Sequence, residues 1–300
     1  MRAILTLLAA LTLAACSIGT AADDNDRFPT SSSYPAGTME RFDFTAGVPE
    51  GWRISALRTP PRPDATWKVV IITGTPSWSE YWAPTLAGLP HTREMIVADR
   101  PGFRSSEPQD AVRDLAKQAD ALAPMLEARA GQRILLVGQS FGAPVATLMA
   151  ARYPDRVDAL VLVSAYFGDR GPTARRMIGA GQFVHGVLPR DLRNSVSELT
   201  AQTHQLPEVW SAFRSLSQPI VFIHGDADTF VPLAADQRIA AEYGHSLVTV
   251  PAGDHFLNAC CVPALLDTFE QAIAEAEGRQ AATPPQTAND PDPAGGPTLR

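Results

Sequence analysis

Positive charge is in deficit in this chain. Its 25 lysines and arginines face 32 aspartates and glutamates, for a formal net charge of -7 at pH 7, so it offers no basic footprint for a nucleic acid. Also missing are a glycine-rich phosphate loop, a cluster of side chains at metal-ligand spacing and an internal repeat. No cofactor and no metal are therefore expected. The apolar run at positions 3–15, broken by Thr6 and Thr12, is too short to span a bilayer. Cysteines number 3, at positions 16, 260 and 261.

What is present suits one globular domain with polar ends: 300 residues, 45% hydrophobic and 19% charged. Met1-Arg2 followed by the run 3–15 has the charge pattern of a secretory signal peptide. Leu13-Ala14-Ala15-Cys16 resembles the bacterial lipobox, after which Cys16 becomes the lipidated first residue; the other reading is cleavage after Ala22, behind Thr20-Ala21. The first implies export and stable anchoring to a membrane of the cell envelope, since diacyl and amide-linked chains on one cysteine supply more than one lipid signal. The expected division is a signal peptide at 1–15, a lipidated, flexible tether at 16–37, a domain at 38–277 and a disordered tail rich in Pro, Ala and Gly at 278–300.

Within the domain the segment that decides the chemistry is Gly138-Gln139-Ser140-Phe141-Gly142. The apolar run Ile134-Leu135-Leu136-Val137 precedes it and the helical pattern from Ala143 follows it. Strand, G-x-S-x-G and helix in succession form a nucleophile elbow, a strained turn that lifts one serine above a sheet edge. The helix behind Ser140 aims free backbone N–H groups at the reaction centre, which makes the Phe141 N–H an oxyanion donor.

A serine hydroxyl needs a base, and the base needs an acid, in the chain order Ser, Asp or Glu, His. Six histidines are available. His91, His185, His204 and His224 precede or accompany the best acid, and His245 lies before the apolar stretch 247–250, at the wrong end of a strand. His255 follows that stretch in a loop and is the base. Asp228 is the best-placed acid, in the loop that ends the apolar run 220–224. Asp226 competes with it but is expected to cap its own turn. Asp169 is a second choice; Asp254, adjacent to His255, points away from it.

The chain resembles the α/β-hydrolase superfamily over roughly 69–276. The resemblance rests on Thr73-Gly74-Thr75-Pro76, Asp99-Arg100-Pro101-Gly102-Phe103-Arg104-Ser105-Ser106, Gly138 to Gly142, Gly225 to Pro232, and Gly253-Asp254-His255-Phe256, in the family's order. It implies Ser140 as nucleophile, Asp228 as acid, His255 as base, and the N–H groups of Thr75 and Phe141 as the oxyanion hole. Thr73 stands where a histidine is usual and Arg104 where a glycine is usual, so the local packing of both loops departs from the pattern. A serine at 140 argues against the haloalkane dehalogenase and epoxide hydrolase relatives, whose covalent intermediates need a carboxylate nucleophile.

Alternating strand and helix patterns predict an α/β fold with a mainly parallel eight-stranded sheet and an antiparallel start. Strands are expected near 39–44, 52–57, 68–73, 94–98, 133–137, 159–164, 220–224 and 247–250. Helices are expected at 81–89, 111–129 with a break at Pro124, 143–153, 233–243 and 262–276. Between 166 and 217 the alternation lapses, and a small helical lid is expected over Ser140. Phe167, Met177, Phe183, Val184, Leu188, Trp210 and Phe213 line its apolar pocket in that reading, or else form the lid's own core. Arg175, Arg176, Arg190 and Arg193 are expected to face water, the other reading being attraction of an anionic substrate. Cys260 and Cys261 either pair, which requires a distorted turn, or line the back of the histidine loop as small buried residues. The expected activity is hydrolysis of a small, apolar carboxylic ester, with an amide, thioester or C–C bond as alternative, or a tethered binding protein without turnover. Oligomeric state is not legible.

Overall fold

Runs such as Val69-Val70-Ile71-Ile72 and Leu135-Leu136-Val137 are apolar at every position because their strands have helices on both faces. The computed structural model describes residues 28–282. The signal peptide, Cys16, the first part of the tether and the tail beyond 282 lie outside the described residues. In chain order the elements are β1 Glu40–Thr45, β2 Arg53–Arg58, β3 Trp67–Ile72, α1 Ala83–Gly88, β4 Arg93–Ala98, α2 Leu115–Leu122, β5 Arg133–Gln139, α3 Gly142–Arg152 and β6 Ala159–Val163. Then follow α4 Pro172–Phe183, α5 Arg190–Ala201, α6 Leu206–Ser215, β7 Ile220–Gly225, α7 Leu233–Tyr243, β8 Ser246–Val250, α8 Leu257–Cys260 and α9 Val262–Ala282.

The strands form one 8-stranded sheet in the order β1-β2-β4-β3-β5-β6-β7-β8. β2 runs antiparallel to β1 and β4, and the pairs from β4 to β8 are parallel. This is the α/β-hydrolase fold. Successive residues of a strand point to opposite faces. Val70, Ile72, Leu136, Leu160, Leu162 and Phe222 accordingly pack under α2, α3, α6 and α7, whereas Val69, Ile71, Leu135, Val137, Val161 and Ile223 pack against α1 and α9. Each fully buried side chain of this kind contributes about 1.5–3 kcal/mol. The carboxyl ends of β3, β5, β7 and β8 converge near the point where the strand order reverses, the position at which open α/β sheets place their ligands.

Several expectations need correction. α2 begins at Leu115, not 111, because side chains from elsewhere take over the backbone before it. Asp114 caps Lys117 N, Gln118 holds Val112 O, and Gln205 bonds both Leu115 N and Arg113 O. At its other end Pro124 lacks an N–H, and the chain tightens into a 3-10 turn at Ala123–Leu126 before leaving the helix. α9 runs past 276 to Ala282, its later turns tied by Trp67 Nε1–H to Glu277 and by Arg279 to Ser217 O. Residues 28–37, expected as flexible tether, include a 3-10 turn at Ser31–Ser33 whose Ser31 N–H donates to Glu80. The Phe28 ring packs 4.7 Å from Tyr81 and 5.5 Å from Phe256. Cys260 and Cys261 are disulfide-bonded, and the chain leaves the helical conformation at Cys261 between α8 and α9, the distorted turn that such a pair requires.

Three helices, α4, α5 and α6, fill the insertion between β6 and β7. Its apolar residues divide between core and surface. Phe167, Trp210 and Phe213 stack on one another at 5.0–5.8 Å as core, whereas Met177 and Phe183 lie on the outer face, 41% and 82% exposed. Arg175 and Arg176 are exposed; Arg190 instead folds back onto Arg104 O.

Helix α3 can approach the sheet only because residue 142 has no side chain: a Cβ there would lie 2.2 Å from Ile72 O. Gly142→Ala is expected to lower stability by about 3 kcal/mol or more, read as a lower urea midpoint at unchanged slope. An unchanged midpoint would mean that the helix does not approach so closely.

Candidate active site

Ser140 sits between β5 and α3 at φ +50, a conformation that strains a non-glycine residue by roughly 1–3 kcal/mol. Its backbone is held there on both sides. Ser140 N–H donates to Val163 O at 2.8 Å, and Ser140 O accepts from Ala143 N at 3.0 Å and Tyr166 N at 3.1 Å. Gly138 leaves room for the turn, since a Cβ on it would meet Ala143 Cα at 2.7 Å.

The loops after β7 and β8 bring the other two side chains to this point. His255 Nε2 lies 3.1 Å from Ser140 Oγ, and His255 Nδ1 lies 2.7 Å from Asp228 Oδ2. The His255 side chain is 9% exposed and that of Asp228 is fully buried. Phe230 stacks on the imidazole at 5.0 Å and Phe256 meets it edge-on at 5.4 Å, which leaves the ring little freedom to turn. Asp228 Oδ1 accepts the N–H groups of Phe230 at 2.7 Å and Val231 at 3.0 Å. Both oxygens of the carboxylate are thus occupied.

The remaining candidates lie elsewhere. Asp226 accepts from Ala252 N across the sheet edge instead of capping its own turn, Asp254 accepts from Phe256 N, and Asp169 pairs with Arg238. His91 and His204 are exposed, His185 bonds Ser197, and His245 packs edge-on to Phe213. Thr75 follows β3 and Phe141 follows the nucleophile; neither backbone N–H finds an acceptor among the described residues. A Cβ on Gly74 would meet Ser140 Cβ at 3.1 Å, so the Thr75 loop runs directly beside the serine. Thr73 is fully buried, and Arg104 adopts φ +50, the left-handed conformation that explains the usual glycine, with its guanidinium 4.7 Å from the Trp78 ring.

One group escaped the sequence reading. His224, at the end of β7, lies behind Asp228 with Nε2 3.3 Å from Asp228 Oδ2 and 3.1 Å from Val231 O, and Nδ1 2.7 Å from Asp236 Oδ2. Nε2 faces Val231 O, which can only accept, so it carries a proton; Nδ1 faces Asp236, whose carboxyl burial pushes above the usual carboxylate range. Burial pulls the imidazolium pKa down, but the hydrogen bonds to Asp228 and Asp236 outweigh it and raise the value to about 9. Burial likewise pushes Asp228 up, and His224 and His255 together hold it well below the usual carboxylate range. The only signal in the sequence is a histidine four positions before the acid, a spacing with no meaning outside a helix until the β7 loop folds back.

A sequence profile described as the alpha/beta hydrolase fold matches residues 68–193. The chain is 34% identical over 100 residues to the cis-3-alkyl-4-alkyloxetan-2-one decarboxylase of Shewanella oneidensis, covering 32% of this chain and 31% of that protein. Such matches span less than half the length of these curated relatives. Among solved structures it is similar to a thermophilic esterase from Thermogutta terrifontis, with TM-score 0.63 and 19% identity over 79% of this chain and 99% of the other. It is also similar to haloalkane dehalogenase DbeA from Bradyrhizobium elkani, with TM-score 0.62 and 16% identity over 82% and 100%. At these identities the structural likeness concerns the fold.

His224 generates a test of its own. Its folded pKa of about 9 lies above the 6.5 of an ordinary histidine, so its contribution to stability is complete below pH 6.5 and is lost as pH rises through 9. Unfolding free energy is expected to fall by about 3 kcal/mol over that interval, measured by urea titration at several pH values. His224→Leu should remove most of that slope; an identical slope in the variant would assign the pH dependence to other groups.

Proposed function

The chain has the α/β-hydrolase fold, and on that premise we propose that it is a serine hydrolase that cleaves a carboxylic ester through an acyl-enzyme. The observation that carries this reading is the relay from Ser140 Oγ to His255 Nε2 at 3.1 Å and from His255 Nδ1 to Asp228 Oδ2 at 2.7 Å. In the first half-reaction Ser140 Oγ attacks the ester carbonyl while His255 Nε2 takes its proton. Asp228 accepts the Nδ1–H, fixes the tautomer and stabilises the imidazolium. The tetrahedral oxyanion is met by the N–H groups of Thr75 and Phe141. Collapse breaks the bond to the leaving alcohol, which takes the proton from His255. Water then attacks the acyl carbon, again with His255 as base, and frees the acid and Ser140.

An apolar substrate is supported by the half-buried rings of Phe230 and Phe256, which pack against the base. Similarity to an esterase structure is consistent with this reading. A serine nucleophile separates the chain from carboxylate-nucleophile chemistry on the same fold. Amides, thioesters and C–C bonds are open to the same triad, so the test includes them.

Wild-type protein is expected to be labelled covalently by a fluorophosphonate and to turn over p-nitrophenyl esters with a limit on chain length. Ser140→Ala should abolish labelling and lower kcat by about 10⁴-fold or more. Absence of labelling in the wild type would sink the hydrolase reading, and turnover of only an amide, thioester or C–C substrate would replace the ester.

We also propose that the protein is exported and held at a membrane of the cell envelope. Leu13-Ala14-Ala15-Cys16 supports export and anchoring through an acylated Cys16; no helix among the described residues is long and apolar enough to cross a membrane. Cys16→Ser is expected to move the protein from the membrane fraction to the soluble fraction. A wild type already soluble after export would refute the anchor.

A further inference from the structure

Behind the Thr75 loop is a buried polar cluster that the triad does not use. Arg100, from the loop after β4, and Glu198, from α5 of the insertion, form an ion pair with both side chains 0% exposed. Arg100 Nη1 lies 2.8 Å from Glu198 Oε1 and Arg100 Nη2 lies 3.1 Å from Glu198 Oε2, a bidentate pair. Gln118 completes it, accepting from Arg100 at 2.7 Å and donating to Glu198 Oε1 at 2.8 Å.

Two further bonds aim this cluster at the reaction centre. Arg100 Nη2–H donates to Gly74 O at 2.8 Å, and Thr75 Oγ1–H donates to Glu198 Oε2 at 2.9 Å. Gly74 C=O and Thr75 N–H belong to one peptide group. A cation on that carbonyl fixes the plane of the peptide, and with it the direction of the N–H. It also withdraws electron density through the amide, so the N–H becomes a stronger donor. The same guanidinium lies 4.9 Å from the ring of Phe141, the residue that carries the other donor.

We infer that Arg100 and Glu198 are positioning residues for the oxyanion hole: they clamp and polarise the Gly74–Thr75 peptide, and the insertion helix α5 supplies half of the clamp. This rests on the serine hydrolase reading and extends it. Asn194, one turn earlier on α5, bonds Gly102 O and Gln109 O, so the helix is seated on the Arg100 loop independently of Glu198.

The test separates positioning from stability. Replacing a buried ion pair by apolar residues of similar volume is often neutral or stabilising, so Arg100→Met with Glu198→Leu is the main variant. Thermal unfolding is expected to stay within a few degrees of wild type. For an ester that wild type turns over, kcat should fall roughly 10- to 100-fold at nearly unchanged KM, because the lost interaction acts on the transition state. Affinity for an alkylboronic acid, which forms a tetrahedral adduct on Ser140, should weaken in parallel.

Thr75→Val, which removes only the hydroxyl contact to Glu198, should lose kcat in the same sense, and Thr75→Ser should restore it. This pair decides the matter if the double variant does not fold. Folded variants with wild-type kcat and boronate affinity overturn the clamp while leaving the hydrolase intact, whereas failure of wild type to turn over or be labelled overturns the hydrolase reading first.

Discussion

Everything at the site follows from how closely helix α3 can press its first turn against the carboxyl ends of β3 and β5. Gly142 makes the approach possible, and Ser140 absorbs the turn at φ +50. The strain is local and is offset by three backbone hydrogen bonds to neighbouring strand ends and loops. Because those bonds come from β6, the loop beyond it and the helix, the serine is fixed by the whole parallel sheet. The same approach brings the Gly74–Thr75 segment beside Ser140, where a Cβ on Gly74 would lie 3.7 Å from the hydroxyl oxygen.

Charge around the relay is arranged in two tiers. Asp228 is buried yet remains ionised because two backbone N–H groups and two imidazoles satisfy its oxygens. His224 is the less expected partner. As an imidazolium between Asp228 and Asp236 it lets two buried carboxylates sit near each other without mutual repulsion. Arg100 and Glu198 form another buried pair, which ends on the peptide beside the serine. Two buried sets of compensated charge thus stand behind the reaction centre, where fixed dipoles act more strongly than in water.

Much of this was legible in the chain because some signals are local. Buried parallel strands read as uninterrupted apolar runs, and the strands near 68–73, 133–137 and 220–224 were visible for that reason. The elbow was visible because strand, glycine, serine, glycine and helix are contiguous. Where a boundary depends on a distant side chain, local pattern fails. Nothing near Ala111 reveals that Gln205 will bond Leu115 N and Arg113 O and hold the chain out of a helix. The insertion shows the same limit: helical spacing identifies its apolar residues but not which face is covered, and Phe213 and Phe183 end on opposite sides of it.

The sequence by itself determined the α/β class, the strand succession and the residues able to form a relay of serine, carboxylate and histidine, since hydrophobic periodicity and turn chemistry act over a few neighbouring positions. Only the tertiary structure decided which aspartate meets His255, that His224 sits charged behind it, and that Arg100 and Glu198 converge on the Gly74–Thr75 peptide. Those contacts join residues from separate strands and from the insertion. Their distances are set by sheet register and helix packing, and neither is written in any short stretch of the chain.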